Sequence, residues 1–147
     1  MRSFAKNRWL PWWLLAVLLG GTSCGGRDQG LPKVQPVAGT VFVDGRPAAQ
    51  AEITFHSPNA AAKRVQPFAI ADASGAFRPT TFLDGDGAPA GEYAVTVIWP
   101  TSREEGGETV KGLDRLKGRY NNPQNTPLKV VIQEGRNELP PIQLSAR

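Results

Sequence analysis

The sequence predicts an all-β fold, a seven-stranded β-sandwich with one long loop insertion. Apolar residues between Val37 and Leu144 recur with period two and never settle into a helical period. Clusters of Gly, Pro, Asp and Asn break that pattern into short runs, as the turns of a sandwich do.

The elements follow in order. Val37–Val43 (VAGTVFV) leads into Asp44-Gly45, and Ala51–Ser57 (AEITFHS) follows, with Ile53 and Phe55 on one face and Glu52, Thr54 and His56 on the other. This spells strand, turn, strand. Phe68–Asp72 (FAIAD) and Phe77–Phe82 (FRPTTF) flank Asp72-Ala73-Ser74-Gly75, where the aspartate can bond the turn backbone and the glycine can take a positive φ, giving a second hairpin. Glu92–Trp99 (EYAVTVIW) alternates most cleanly, with Tyr93, Val95, Val97 and Trp99 on one side, and is expected at the centre of a sheet. Leu128–Gln133 and Asn137–Leu144 are joined by Glu134-Gly135-Arg136, and Pro140 and Pro141 confine the last strand to an edge.

The loop insertion runs from Pro100 to Pro127, a length that often marks function or disorder. Its first half (TSREEGGETV) is polar. In its second half, Leu113, Leu116 and Tyr120 are spaced as on one side of a helical turn, which predicts a lid packed on the sandwich.

Ahead of this domain, Arg2, Lys6 and Arg8 precede the 11-residue apolar run Trp9–Leu19, the pattern of a secretory signal. A bilayer span needs about 20 apolar residues, and Pro11 interrupts this shorter run, so the pattern argues against a membrane helix. Gly20-Gly21-Thr22-Ser23 then leads to Cys24, the chain's only cysteine. The stretch resembles a bacterial lipobox, with Gly21 where a leucine is usual. That resemblance implies acylation of the Cys24 sulfur, cleavage before it and acylation of the freed amine. The alternatives are an ordinary signal peptide with a leftover thiol, or an uncleaved anchor. The domain plan is therefore a signal over 1–23, a flexible Gly/Pro tether over 24–36 and a sandwich over 37–147. Gly25, after the cysteine, is not the aspartate that resembles an inner-membrane retention signal, which points to the periplasmic side of an outer membrane where the cell has two membranes.

Removing the signal alters the charge argument. Of 17 Lys+Arg, three lie in it, leaving 14 against 13 Asp+Glu. A nearly neutral mature chain gives nucleic acid no footprint. Trp9, Trp12 and Trp13 go as well, so a carbohydrate-stacking surface rests on Trp99 and Tyr120.

A second resemblance is carried by the Asp44-Gly45-x-Pro47 turn, the Asp72-x-x-Gly75-x-Phe77 hairpin and the Pro89-x-Gly91-x-Tyr93 run. Across Val37–Leu144 the chain resembles bacterial lipoproteins with a carboxypeptidase regulatory-like domain, a transthyretin-like, immunoglobulin-like sandwich. The resemblance implies a structural role for these motifs, with Tyr93 as a tyrosine corner, and no zinc ligands, since in the peptidases this module only accompanies the catalytic domain.

The chemical inventory is thin. His56 is the only histidine and lies on the polar side of its strand, no zinc set exists, and no nucleophile elbow precedes a serine. Neither enzyme activity nor a cofactor is expected. Asp84-Gly85-Asp86-Gly87 opens like a calcium loop, with Glu92 near, but Val95 stands at the twelfth position where a carboxylate is needed. A Lys33–Asn137 covalent cross-link lacks a buried acid. The expectation is a lipid-anchored, extracytoplasmic, non-catalytic structural or binding module that meets a cell-envelope protein through the loops Asp84–Ala90 and Arg103–Gly118 at one end of the sandwich. The alternative is a glycan-binding module, and the candidate contact residues are Asp84, Asp86, Trp99 and Tyr120.

Overall fold

The computed structural model describes residues 30–59 and 65–147, and the expected signal, Cys24 and the first part of the tether lie outside them. The described residues form β1 (Val34–Gln35), β2 (Val37–Val43), β3 (Arg46–Pro47), β4 (Glu52–His56), β5 (Phe68–Ile70), β6 (Ala76–Phe77) and β7 (Ala88–Pro89). Then come β8 (Gly91–Ile98), β9 (Pro100–Glu105), β10 (Glu108–Asp114), β11 (Lys129–Ile132), β12 (Asn137–Glu138) and β13 (Ile142–Leu144). The fold is all-β.

One sheet has the order β11-β8-β4-β5, with every pair antiparallel. The alternation in Gly91–Ile98 sends Tyr93, Val95 and Val97 inward, so β8 occupies the sheet interior as its pattern predicts. In the second sheet β2 is the organiser. Along one edge it pairs in parallel with β12 and β13, and along the other it pairs antiparallel with β6 and β3. Val37, Val41, Val43, Phe77, Ile142 and Leu144 from this sheet join Ile53, Phe55, Tyr93, Val95, Val97 and Ile132 from the first in a single buried cluster. Phe55 connects the two layers, its ring 5.9 Å from that of Tyr93 in an edge-on arrangement and 6.4 Å from that of Phe77.

Turn chemistry closes these strands as the residues dictate. Asp44 and Gly45 both take positive φ, 48° and 76°, the pair a type I′ turn requires, and Arg46 and Pro47 fold back onto Val43 and Phe42. The Asp72 carboxylate accepts hydrogen bonds from the Ser74 hydroxyl at 2.6 Å, from the Ser74 N–H at 2.8 Å and from the Ala76 N–H at 3.0 Å. The Ser74 hydroxyl first, then the backbone donors, holds its pKa below the ordinary carboxylate value.

The structure departs from the sequence expectation in several places. The Asp72 turn does not close a regular hairpin: β5 pairs with β4 while β6 pairs with β2, so the chain changes sheets there, and the two arms meet through the Asp72 N–H bond to Ala76 O at the turn and the Phe68–Thr80 bridge. Val34 and Gln35, assigned to the tether, belong to the fold, pairing with Pro89 and Ala88. The last strand is split by Pro140 and Pro141, which bring no N–H to the ladder, into β12 and β13.

The largest difference concerns the loop insertion. Residues 100–114 are a β-hairpin of β9 and β10, joined at Gly106-Gly107, whose positive φ values of 64° and 86° suit the reversal. No helical lid follows. Residues 115–120 make successive turns, with Lys117 N–H bonded to Asp114 O and Arg119 N–H to Leu116 O. Leu116 is buried, Tyr120 half-buried, and Leu113, still on β10, is 86% exposed.

Candidate functional site

β8 separates the sequence-predicted residues into two groups. Asp84 and Asp86 precede its first residue, while Trp99 follows its last and Tyr120 is bonded beside it, the Tyr120 carbonyl accepting the Val97 N–H at 2.9 Å. An eight-residue strand is about 23 Å long. The loops Asp84–Ala90 and Arg103–Gly118 thus lie at opposite ends of β8, and the expectation that both stand at one end of the sandwich is corrected by the strand that joins them.

At the first end, Asp86 shapes its own loop. Its carboxylate accepts the N–H groups of Thr81 at 2.7 Å, Phe82 at 3.0 Å and Leu83 at 3.0 Å. Partial desolvation pushes its pKa up, but these bonds together outweigh that and hold it below the ordinary value. Thr81 Oγ1 donates to Gly87 O at 2.6 Å, and Gly87 N–H donates to Pro79 O at 2.8 Å. The loop is thereby closed at both feet, with Phe82 40% and Leu83 73% exposed at its tip. Asp84 is exposed, and its Oδ1 accepts a long hydrogen bond from Thr80 Oγ1 at 3.5 Å. Among the described residues no group of three or more His, Cys, Asp and Glu side chains is placed to hold a metal ion.

At the other end, the base of the β9–β10 hairpin is fastened by Asp114. Its Oδ1 accepts the N–H of Trp99 and of Leu116, each at 2.9 Å, and its Oδ2 accepts Gly118 N–H at 2.9 Å. The Trp99 indole N–H donates to Ala49 O at 2.9 Å, and Arg115 Cζ sits 4.6 Å from the ring centroid. A sugar approaching Trp99 would find its donor engaged and one face occupied. The Tyr120 hydroxyl is engaged by the Ser145 backbone, accepting its N–H at 3.2 Å. The hairpin carries an Arg103–Glu105 ion pair and a Lys111–Glu52 pair that ties β10 to β4.

Sequence reasoning missed a groove of about 810 Å³ over His56, Gln66, Glu92, Lys129 and Pro123. Its walls come from segments far apart in the chain, so no local motif announces it. His56 is half-buried there. The Gln66 amide donates to Nδ1 at 2.9 Å, so Nε2 carries the proton and donates to Thr96 Oγ1 at 2.8 Å. Desolvation lowers its pKa below the ordinary 6.5. Both ring nitrogens are committed within the protein, which makes His56 a brace for the outer face of the sheet.

Tyr93 closes the list of predicted residues. Its hydroxyl donates to Pro89 O at 2.9 Å from a buried ring, and desolvation raises its pKa. No family model matches the chain, and no curated protein matches it.

Proposed function

We propose that this chain is an extracytoplasmic lipoprotein, acylated at Cys24, whose all-β domain is a non-catalytic binding module. The observation that carries the reading is the position of the single cysteine, directly after four small residues that follow a basic start and an 11-residue apolar run. A second acyl chain makes attachment lasting, where one alone holds only marginally. In this reading a tether joins the anchored Cys24 to the domain at Val34, and the module belongs to the carboxypeptidase regulatory-like, transthyretin-like sandwiches. The DG turn at Asp44, the Asp72 turn and the Tyr93 hydroxyl bond to Pro89 support that finer classification.

A binding role is favoured by what the aspartates do. Asp72, Asp86 and Asp114 direct their carboxylates at backbone N–H groups and so fix loop shape, presenting Phe82-Leu83 at one end of β8 and a charged hairpin at the other. The engaged donor of Trp99 weighs against glycan stacking there, and an envelope protein is the better-fitting partner for the hairpin.

Mass spectrometry of the protein extracted from the membrane fraction tests the reading. The expected N-terminus is an acylated Cys24, lost in Cys24→Ser together with membrane retention. A mature protein starting at Met1, or one with an unmodified sulfur, would refute it.

A further inference from the structure

We infer that Phe82 and Leu83 form a lipid-contact site, resting in the interfacial layer of the bilayer to which Cys24 is fastened. The inference rests on the acylation of Cys24 proposed above.

Three observations point to lipid. Phe82 and Leu83 are adjacent large apolar side chains left 40% and 73% exposed, and the loop holds them there. The Asp86 carboxylate takes the N–H of both residues and of Thr81, which fixes the backbone that carries the two apolar side chains at the tip. The loop also adjoins the point where the N-terminal chain joins the fold. A Cβ on Gly87 would stand 1.8 Å from Gln35 O, and Val34–Gln35 pairs with Ala88–Pro89 directly after the loop. Val34 is ten residues beyond Cys24, and ten residues span at most about 35 Å when fully extended. The acylated end is therefore within one short tether of the loop.

The charges beside the tip agree with apolar rather than electrostatic contact. Arg78 lies next to the loop, its Cβ 3.9 Å from where a Gly85 Cβ would be, and Asp84 is exposed after Leu83. With the Asp86 carboxylate counted, one positive charge stands beside two negative ones, and the loop has no net pull toward anionic headgroups. Two apolar side chains alone bind a bilayer weakly, but an anchored domain samples the surface at high effective concentration, and a weak contact then becomes populated. The contact would set which way the domain faces, turning the hairpin at the far end of β8 toward a partner.

The test uses the full acylated protein in phosphatidylcholine vesicles. With Cys24 acylated, Leu83→Cys and Thr109→Cys each add the one reactive thiol, to which an environment-sensitive fluorophore is attached. The probe at 83 is expected to shift to the blue and to be quenched several-fold more than the probe at 109 by lipids spin-labelled near the headgroup. Raising the salt about tenfold should leave that difference unchanged, because little of it is charge-driven. Thermal melts matching the parent protein establish that both variants are folded. Equal quenching at 83 and 109 in protein whose mass shows acylated Cys24 overturns the contact and leaves the anchor standing, whereas an unmodified Cys24 removes both. Shielding of position 83 by added envelope proteins, the same with or without lipid, overturns it in favour of a protein partner.

Discussion

The Asp114 carboxylate accepts the backbone N–H of Trp99 at 2.9 Å, and this bond joins the end of the central strand β8 to the return arm of the hairpin that follows it. The same side chain holds Leu116 and Gly118, so one acid fixes where the β9–β10 ribbon leaves the body. Asp114→Ala is expected to cost about 1–3 kcal/mol, the range for backbone donors left without their partner. Urea unfolding measures the loss, and limited proteolysis should show earlier cutting between residues 100 and 114. Unchanged cutting would mean that the ribbon is held by something other than this acid.

Tyr93 separates two contributions in one side chain. Tyr93→Phe keeps the ring against Phe55 and removes only the hydroxyl bond to Pro89, an expected loss of about 1 kcal/mol. Tyr93→Ala removes the buried ring and should cost about 3–5 kcal/mol. Equal losses from the two variants, by thermal or chemical unfolding, would contradict the assignment.

Glycine positions in the Asp86 loop should differ sharply. Gly87 has φ 103°, and an added Cβ would collide with the Gln35 carbonyl, so Gly87→Ala is expected to cost about 2–4 kcal/mol and to loosen β1. Gly85 has φ 65° with no atom nearer than 3.9 Å, so Gly85→Ala meets only the left-handed backbone penalty of about 1–2 kcal/mol. Hydrogen exchange at the Val34–Gln35 amides distinguishes them.

Stability should fall on acidification in two stages. The folded pKa of His56 lies below its ordinary 6.5, so the unfolded chain binds the proton more readily. Its contribution is complete above about pH 6.5 and declines as the pH drops through the folded value, a slope that His56→Gln should flatten. Asp72 and Asp86 also titrate below their ordinary 3.8, so their contribution is full above about pH 4 and is lost as the pH falls through their folded values. Urea midpoints measured between pH 8 and pH 2 test the sequence of events. A midpoint rising on acidification between pH 7 and 5 would oppose the assignment for His56.

Much of this fold was legible because burial writes itself into alternation. Val37, Val41 and Val43 on β2 and Tyr93, Val95 and Val97 on β8 turn into the core, while the Asp72 turn follows from a carboxylate that bonds its own backbone and the Asp44-Gly45 turn from two residues at positive φ. The hairpin at residues 100–114 left no such trace. Almost all of it is exposed, so neither of its faces selects apolar residues, and a ribbon with two wet sides reads as a polar loop. The change of sheet after Asp72 and the two-residue strand β1 were hidden for another reason, since pairing partners are set by the whole packing and not by the segment itself. Among the candidate contact residues, the pattern picked out Asp84, Asp86, Trp99 and Tyr120 by side-chain type alone. It could not say that Asp86 and Trp99 direct their polar atoms inward, nor that β8 holds Asp84 and Tyr120 apart.

β2 takes Ile142–Leu144 as its parallel neighbour, about a hundred residues downstream of its own start. A polypeptide that emerges from a ribosome N-terminus first must therefore wait for residues 137–144 before that edge can be zipped. Such distant closure slows folding. It leaves the nascent domain pliant, and it makes arrival of Ile142–Leu144 the event that closes the β2 edge.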